Sequence, residues 1–138
     1  MTEQQNLDVV QQIYAAFGRG DMDGIINLLD PQVSWMTPGP PDMPSAGTRR
    51  GHAAVREFFD TLMKMVDISD FVPTDFMVQG NTVAVLGTDT ERVKATGKAV
   101  AFRWVHIFVI ENGRVVTFEE RADVSAMVDE LRSAHARV

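Results

Sequence analysis

Apolar residues recur every three or four positions in the first half of the chain, which is the spacing of one helix face. This pattern predicts three helices: one between the capping box at Thr2 and the glycines Gly18 and Gly20, a short one between Asp21 and Pro31, and one over residues 52–66. A short strand is predicted over residues 33–37. The Pro- and Gly-rich residues 38–51 predict a loop long enough to form the lid or rim of a binding site.

Apolar and polar residues alternate in the second half, which is the pattern of half-buried strands. The predicted strands are residues 71–79, 82–94, 100–111 and 114–122. Asn112-Gly113 is a strong hairpin signal between the last two strands. A closing helix is predicted from residue 124 to about residue 136. Helices followed by strands indicate one α+β domain over residues 1–138.

The Asn112-Gly113 turn places Glu111 opposite Arg114, and this pairing sets which side chains share a face. Counting back along both strands predicts one face with a mixture of aromatic and ionisable side chains: Phe102, Trp104, His106, Phe108, Thr117, Glu119, Arg121 and Asp123. Glu119 is then opposite His106, and Arg121 is opposite Trp104. Because covered polar groups need partners, we expect this face to line a pocket under the helices.

The opposite face of the same hairpin is predicted to be aliphatic. Its members are Val105, Ile107, Val109, Val116 and Phe118, with Arg103 and Glu120 toward its end. The helices can cover only one face of a single sheet. We therefore expect a second subunit to cover this one, which predicts a homodimer.

The strand over residues 82–94 has two possible orientations, because the length of the turn at Thr96-Gly97 is not fixed by the sequence. A turn of two or four residues places Asp89 and Glu91 on the His106 face. A turn of three or five residues places Arg92 there instead, since a shift of one residue reverses every side chain.

Composition excludes several functions. The 138 residues carry a net charge of −6, which opposes nucleic-acid binding through phosphate neutralisation. There are no cysteines, so disulfides and thiol chemistry are excluded. The three histidines are scattered, and we predict no metal site. No apolar run is long enough to span a membrane, and we expect a secretory signal to be absent or already removed, so the default expectation is a cytoplasmic protein.

Four stretches of the chain resemble the nuclear transport factor 2-like (NTF2-like) superfamily, which includes ketosteroid isomerases, SnoaL-like polyketide cyclases and limonene-epoxide-hydrolase-type enzymes. The stretches are Val10-Gln-Gln-Ile-Tyr-Ala-Ala-Phe17, Gly20-Asp-Met-Asp-Gly-Ile-Ile26, Ala46-Gly-Thr-Arg-Arg-Gly-His-Ala-Ala-Val-Arg-Glu-Phe-Phe59, and residues 106–123. The resemblance implies a cone, in which a curved antiparallel sheet is wrapped by about four helices around an apolar pocket. It also implies a dimer.

The positions that carry ketosteroid isomerase activity are all changed here. Thr37 stands where the resemblance places an Asp base before a Pro, and it cannot serve as that base. Ile13 replaces the Tyr of the first helix, with Tyr14 beside it. His106 replaces the Asp that donates to the enolate. We therefore expect no conventional steroid isomerase.

The SnoaL-like cyclases are more similar, because Asp123 and His106 match their acid/base Asp and their His. The epoxide hydrolases use an Asp-Arg-Asp cluster, of which Arg92 and Asp123 match two members. Lys94 stands in place of the third. Asp123 has a simpler alternative role, since an Asp just before a helix is a favoured cap.

These observations predict cofactor-independent acid/base chemistry on a small apolar carbonyl compound. The expected catalytic residues are Asp123, His106 and Arg92. The expected substrate-binding residues are Tyr14, Trp35, Thr37, Phe102, Trp104, Phe108, Glu119 and Arg121. Two alternatives stand beside this function: a non-catalytic protein that binds a small ligand or a partner, and an epoxide hydrolase.

Overall fold

The computed structural model describes residues 1–136. The helices among them are α1 (Glu3–Gly18), α2 (Met22–Ile26), α3 (His52–Met65) and α4 (Ser125–Ala136). The strands are β1 (Leu29–Thr37), β2 (Gly47–Arg50), β3 (Val66–Gln79), β4 (Thr82–Val93), β5 (Ala99–Glu111) and β6 (Arg114–Ala122). The α+β class predicted from the order of the elements is confirmed.

All six strands form one sheet, in the order β2-β1-β6-β5-β4-β3. Four of the five neighbouring pairs are antiparallel, and β1 pairs with β6 in parallel. β5 therefore lies between the two strands that carry most of the charged residues discussed below. Helix α1 packs over β3 and β4, and α3 packs over β1 and β2, so that both helices cover the same face of the curved sheet.

The predicted start of α1 is confirmed in detail. The Thr2 hydroxyl accepts a hydrogen bond from the Gln5 amide at 3.1 Å, and the Gln5 side chain accepts one from the Thr2 amide at 2.8 Å. This reciprocal capping satisfies amide groups that have no partner inside the helix. Asp21 caps α2 through the Gly24 amide, as predicted.

Several boundaries differ from the prediction. Helix α2 ends at Ile26, and β1 begins at Leu29 instead of residue 33. Residues 47–50 of the predicted loop form β2, which pairs with β1 at the edge of the sheet. Strand β3 begins directly after α3, and its Pro73 is tolerated because β3 is an edge strand with register shifts on both sides of that position.

The predicted register of the last hairpin is wrong by one residue. The turn is as expected, with Glu111 opposite Arg114 and positive φ angles at Asn112 and Gly113. A β-bulge follows, because Ile110 pairs with Val115 while Val109 pairs with Thr117. Val116 is the additional residue, and it reverses the facing of the whole strand beyond it.

Because of the bulge, the β6 residues beyond Val116 lie on the opposite faces from those predicted, whereas the β5 residues lie on the predicted faces. Glu120 lies opposite His106 and Ala122 opposite Trp104, where Glu119 and Arg121 were expected. Glu119 and Arg121 instead lie on the outer face and bind each other at 3.0 Å. Phe118, predicted on the outer face, is buried under the helices.

The outer face keeps its predicted aliphatic centre. Val105, Ile107 and Val109 are half-buried there, and Met77 and Leu86 are exposed beside them. The homodimer expected through this face stays a prediction. None of the helices in the described part of the chain is long and apolar enough to cross a membrane.

Candidate functional site

The covered face of the sheet and helices α1 and α3 surround a cavity with two adjoining chambers, of about 80 Å³ and about 60 Å³. Aromatic side chains form most of the wall of the first chamber: Tyr14, Trp35, Phe58, Phe59, Phe71 and Phe108. The second chamber lies toward the Pro-rich loop, and Pro38, Met43 and Ser45 line it. The loop therefore borders the cavity.

A row of three hydrogen-bonded side chains lies on the wall of the first chamber. The Tyr14 hydroxyl oxygen is 2.7 Å from Nδ1 of His106, and Nε2 of His106 is 2.8 Å from a carboxylate oxygen of Glu120. Helix α1 and strands β5 and β6 each supply one member. Both ring nitrogens of the buried His106 are therefore held by the protein, which fixes the orientation of the ring.

Tyr14 is kept neutral by its surroundings. Burial, and after it the negative charge of Glu120, raises the pKa of the Tyr14 hydroxyl far above its ordinary value. The phenol is therefore a hydrogen-bond donor across the whole working range of pH. Its ring lies nearly parallel to the His106 ring, with 9° between the planes.

Trp104 forms a flat shelf beside His106. Its indole stacks on the His106 ring at 3.9 Å and on Phe71 at 5.0 Å. The opposite position on β4 is Gly87, and a Cβ atom there would overlap the indole. The absence of a side chain at Gly87 is what allows this ring to lie against the sheet.

Two further carboxyl groups reach the cavity from β4. Asp89 and Glu91 line both chambers. A backbone hydrogen bond from Val93 to Lys98 extends the pairing of β4 and β5 and leaves a turn of four residues, 94–97, which gives the orientation in which both carboxyl groups face His106. Burial is the first cause that raises the pKa of both groups, and the Asp89 carboxyl also helps raise that of Glu91 to about 9. The two carboxyl groups also influence each other's protonation, and the raised pKa of each favours its protonated form.

The structure brings most of the predicted binding residues to the cavity. Six of the eight line a chamber, together with the predicted catalytic residue His106: Tyr14, Trp35, Thr37, Phe102, Trp104 and Phe108. Phe102 belongs to the second chamber and the others reach the first. The Thr37 hydroxyl donates to the Ser45 carbonyl, so its proton is already used.

Four predicted site residues lie outside the cavity. Glu119 and Arg121 face outward because the extra residue in the bulge, Val116, reverses the facing of β6. Arg92 is exposed and donates to the Gly97 carbonyl at 2.9 Å, so the orientation favoured by the epoxide hydrolase resemblance is wrong. Asp123 is exposed and accepts from the backbone amide and the hydroxyl of Ser125, which is the capping alternative. Hydrogen bonds from Ser125 lower the Asp123 pKa.

The acid nearest His106 was missed, although the sequence holds a signal for it. In the predicted register Phe118 is on the outer face, and every β6 residue on the covered face from Thr117 onward is polar. Placing the large aromatic side chain inside instead would bring Glu120 inside with it, since alternate residues share a face.

Among the described residues, no group of His, Asp or Glu side chains has the arrangement of a metal site. Arg and Lys are also missing from the described lining of both chambers. His106 is therefore the only basic side chain of the described part that meets the three carboxyl groups of the cavity.

Residues 10–118 match the family model of the SnoaL-like domain. A search of curated proteins gave no match. Solved structures are similar over nearly the whole chain. An NTF2-like protein of unknown function from Burkholderia pseudomallei K96243 is 31% identical, with a TM-score of 0.85, covering 94% of this chain and 97% of its own.

Two further structures support the same relationship. An NTF2-like protein from Burkholderia xenovorans LB400 is 35% identical with a TM-score of 0.85, and the match covers 94% of this chain and 97% of that one. TerC, co-crystallized with polyporic acid, is 27% identical with a TM-score of 0.83, covering 91% and 96% of the two chains. The fold is thus that of a large group of solved proteins.

Proposed function

Because the chain belongs to the SnoaL-like family of NTF2-like proteins, we propose that it is a cofactor-independent acid/base catalyst of the isomerase or cyclase type. Its substrate is a small apolar carbonyl compound. The observation that carries this proposal is the row Tyr14–His106–Glu120 on the wall of an aromatic cavity. The co-crystallization of the related TerC with polyporic acid is consistent with a small organic ligand.

Tyr14 binds the carbonyl oxygen in this proposal. When His106 is protonated, its Nδ1–H donates to the Tyr14 oxygen, and the Tyr14 proton is free to point into the cavity. A neutral donor in an apolar site stabilises the charge that develops on a carbonyl oxygen as an enolate forms. Glu120 in turn balances the charge of the imidazolium.

Glu120 carries the proton. One of its oxygens is bound to His106, and the other is available to the cavity that the side chain lines. It removes a proton from the carbon beside the carbonyl, and the electrons of that C–H bond move to the oxygen held by Tyr14. Returning the proton to another carbon isomerises the substrate. Ring closure instead adds the enolate carbon to a second carbonyl, and the new alkoxide takes the proton from Glu120.

Exchange of α-hydrogens tests this step without the natural substrate. We expect the protein to accelerate deuterium incorporation into 2-indanone in D₂O, followed by NMR, above the buffer rate. Tyr14→Phe keeps the ring contacts and removes the donor, and it should slow the exchange about 10²–10³-fold. No acceleration by the wild-type protein, or an unchanged rate in Tyr14→Phe, would contradict the proposal.

A second candidate function is non-catalytic binding of a small apolar ligand. It is favoured by one observation, which is that both nitrogens of His106 already have protein partners. The row is then a buried structural network that stabilises the cavity wall. Measured binding of 2-indanone with no exchange of its α-hydrogens would support this candidate over the first.

A further inference from the structure

The wall between the two chambers holds polar atoms that the protein leaves without a partner. In the described part of the chain, the buried side-chain atoms of this kind are the indole nitrogens of Trp35 and Trp104 and one oxygen of Asp89. Asp89 is 5% exposed and Trp104 is 4% exposed. Both side chains line both chambers, whereas Trp35 lines only the first. Unsatisfied groups this deeply buried cost folding free energy, so they call for a functional explanation.

The register of β4 and β5 places these two groups side by side. Trp104 pairs with Gly87, and Asp89 is the next β4 residue on the same face. Diagonal neighbours of this kind are within reach of each other's side chains. Because Gly87 leaves room for the indole, the N–H donor of Trp104 and the unpartnered carboxyl oxygen of Asp89 belong to one patch of wall.

We propose that this patch binds a hydroxyl group of the substrate, which accepts from Trp104 Nε1 and donates to Asp89 Oδ1. A hydroxyl group is the smallest neutral group that satisfies a donor and an acceptor together. The inference rests on the proposed function for the other end of the molecule, where Tyr14 binds a carbonyl oxygen. The substrate class is thereby narrowed to hydroxylated carbonyl compounds.

Charged occupants fit this patch less well. An ammonium group has no acceptor for the Trp104 N–H. A carboxylate would meet Asp89, Glu91 and Glu120 with no Arg or Lys in the described lining to offset their charge. Burial raises the pKa of Asp89 and of Glu91, and His106 faces Glu120, so the wall carries less negative charge than three free carboxylates would.

Binding of matched ketones tests the proposal by calorimetry, with no turnover required. The probes are 1-indanone and its 4-, 5- and 6-hydroxy derivatives. We expect at least one hydroxy isomer to bind about tenfold more tightly than 1-indanone, the effect of satisfying a buried pair of hydrogen-bonding groups. Asp89→Leu and Trp104→Phe should each reduce that gain to within about twofold. The same change at the other unpartnered indole, Trp35→Phe, should leave the gain intact.

Three results would overturn the proposal: no isomer gains affinity over 1-indanone, the gain survives in Trp104→Phe, or benzylamine binds more tightly than benzyl alcohol. If Asp89→Leu fails to fold, Trp104→Phe decides the matter, because it keeps an aromatic ring on the shelf. The deuterium exchange of 2-indanone uses a ketone without a hydroxyl group. Its failure would therefore remove the proposed function while leaving the hydroxyl site to be judged by binding.

Discussion

The two strands beside β5 bring carboxyl groups to one cavity in different ways. On β6, Glu120 meets His106 at 2.8 Å and gains a partner that can carry positive charge. On β4, Asp89 and Glu91 have no hydrogen bond to His106, and burial raises the pKa of both carboxyl groups above their ordinary values. Carboxyl groups on the two sides of β5 therefore have different surroundings, and the proposed function uses the one on β6 as the base.

The difference follows from which side chain of β5 lies opposite each group. His106 pairs across to Glu120, whereas Asp89 pairs across to Phe102, which offers no charge. A cavity built in this way separates a carboxyl group bonded to histidine from two carboxyl groups with raised pKa values, over the width of one strand. Such a separation is what acid/base chemistry at neutral pH requires.

The largest expected effect is on the exchange rate, when the carboxyl group on β6, Glu120, is removed. Glu120→Gln keeps the shape and a hydrogen-bonding group toward His106 but removes the base, so the exchange of 2-indanone should slow about 10²–10⁴-fold. Glu119→Gln is the matched control, since Glu119 is the preceding residue and faces outward beside Arg121. Equal losses in the two variants would contradict the assignment of Glu120.

The next effect concerns the β4 carboxyl group Glu91 and the pH dependence of the free energy of unfolding. Glu91 keeps its proton in the folded protein up to about pH 9, while its ordinary pKa in an unfolded chain is 4.5. The folded state therefore binds more protons between these values, and the free energy of unfolding should fall as pH rises through this window, by a few kcal/mol.

Glu91→Gln should make that pH dependence shallower, which denaturant unfolding at about pH 5, 7 and 9 would measure. His106, Asp89 and Glu120 face the same cavity and are present in both proteins, so the quantity of interest is the difference between wild type and variant. Arg92 neighbours Glu91 and points outward, and Arg92→Gln supplies a control with an unchanged slope. Identical curves for wild type and Glu91→Gln would show that the proton is not held there.

A smaller effect concerns Gly87, the β4 residue that lies opposite Trp104. Gly87→Ala adds a methyl group where the Trp104 indole lies, and overfilling of this kind costs about 1–3 kcal/mol. We expect a lower free energy of unfolding and a changed Trp fluorescence spectrum. Gly18→Ala, where nothing lies within 4 Å of the added atom, is the control. An unperturbed spectrum in Gly87→Ala would mean that the indole is not held against the sheet.

The sequence predicts one side of the comparison better than the other. For β4 it limits the outcome to two orientations, and the four-residue turn beyond the Val93–Lys98 hydrogen bond selects the one with Asp89 and Glu91 inside. For β6 the turn at Asn112-Gly113 is correctly predicted, yet the count from that turn fails at Val116. A bulge of one residue has no distinctive composition here, and its effect extends to the end of the strand.

The elements and the hydrophobic interior were predictable because periodicity reports burial directly. Tyr14, Trp35, Trp104 and His106 were placed in the cavity from alternation and from helical spacing together with the family resemblance, and they lie there. Hydrogen-bond partners between distant elements were not predictable. The contact between Tyr14 and His106 joins α1 to β5, and no local pattern specifies which side chains meet across such a gap.

The smallest expected effect tests whether Asp123, the residue after β6, takes part in the reaction. Asp123 follows β6 directly, is exposed, and binds only Ser125 among its described hydrogen-bond partners. Asp123→Asn should leave the 2-indanone exchange rate within about twofold of wild type and lower the melting temperature only slightly. Because Ser125 lowers the Asp123 pKa, this stabilisation should be present above the ordinary Asp pKa of 3.8 and lost as the pH falls below it.

Ser125→Ala separates capping from chemistry, since it removes the hydroxyl partner and leaves the Asp123 carboxylate in place. We expect similar small losses of melting temperature in Asp123→Asn and Ser125→Ala, with both exchange rates intact. This result would show that Asp123 has a structural role and that Glu120 is the acid used in the reaction. A loss of exchange of a hundredfold or more in Asp123→Asn alone would restore the acid/base role that the family resemblance implies. It would also require the segment after Ala122 to turn toward the cavity during the reaction, because in this structure Asp123 lies outside it.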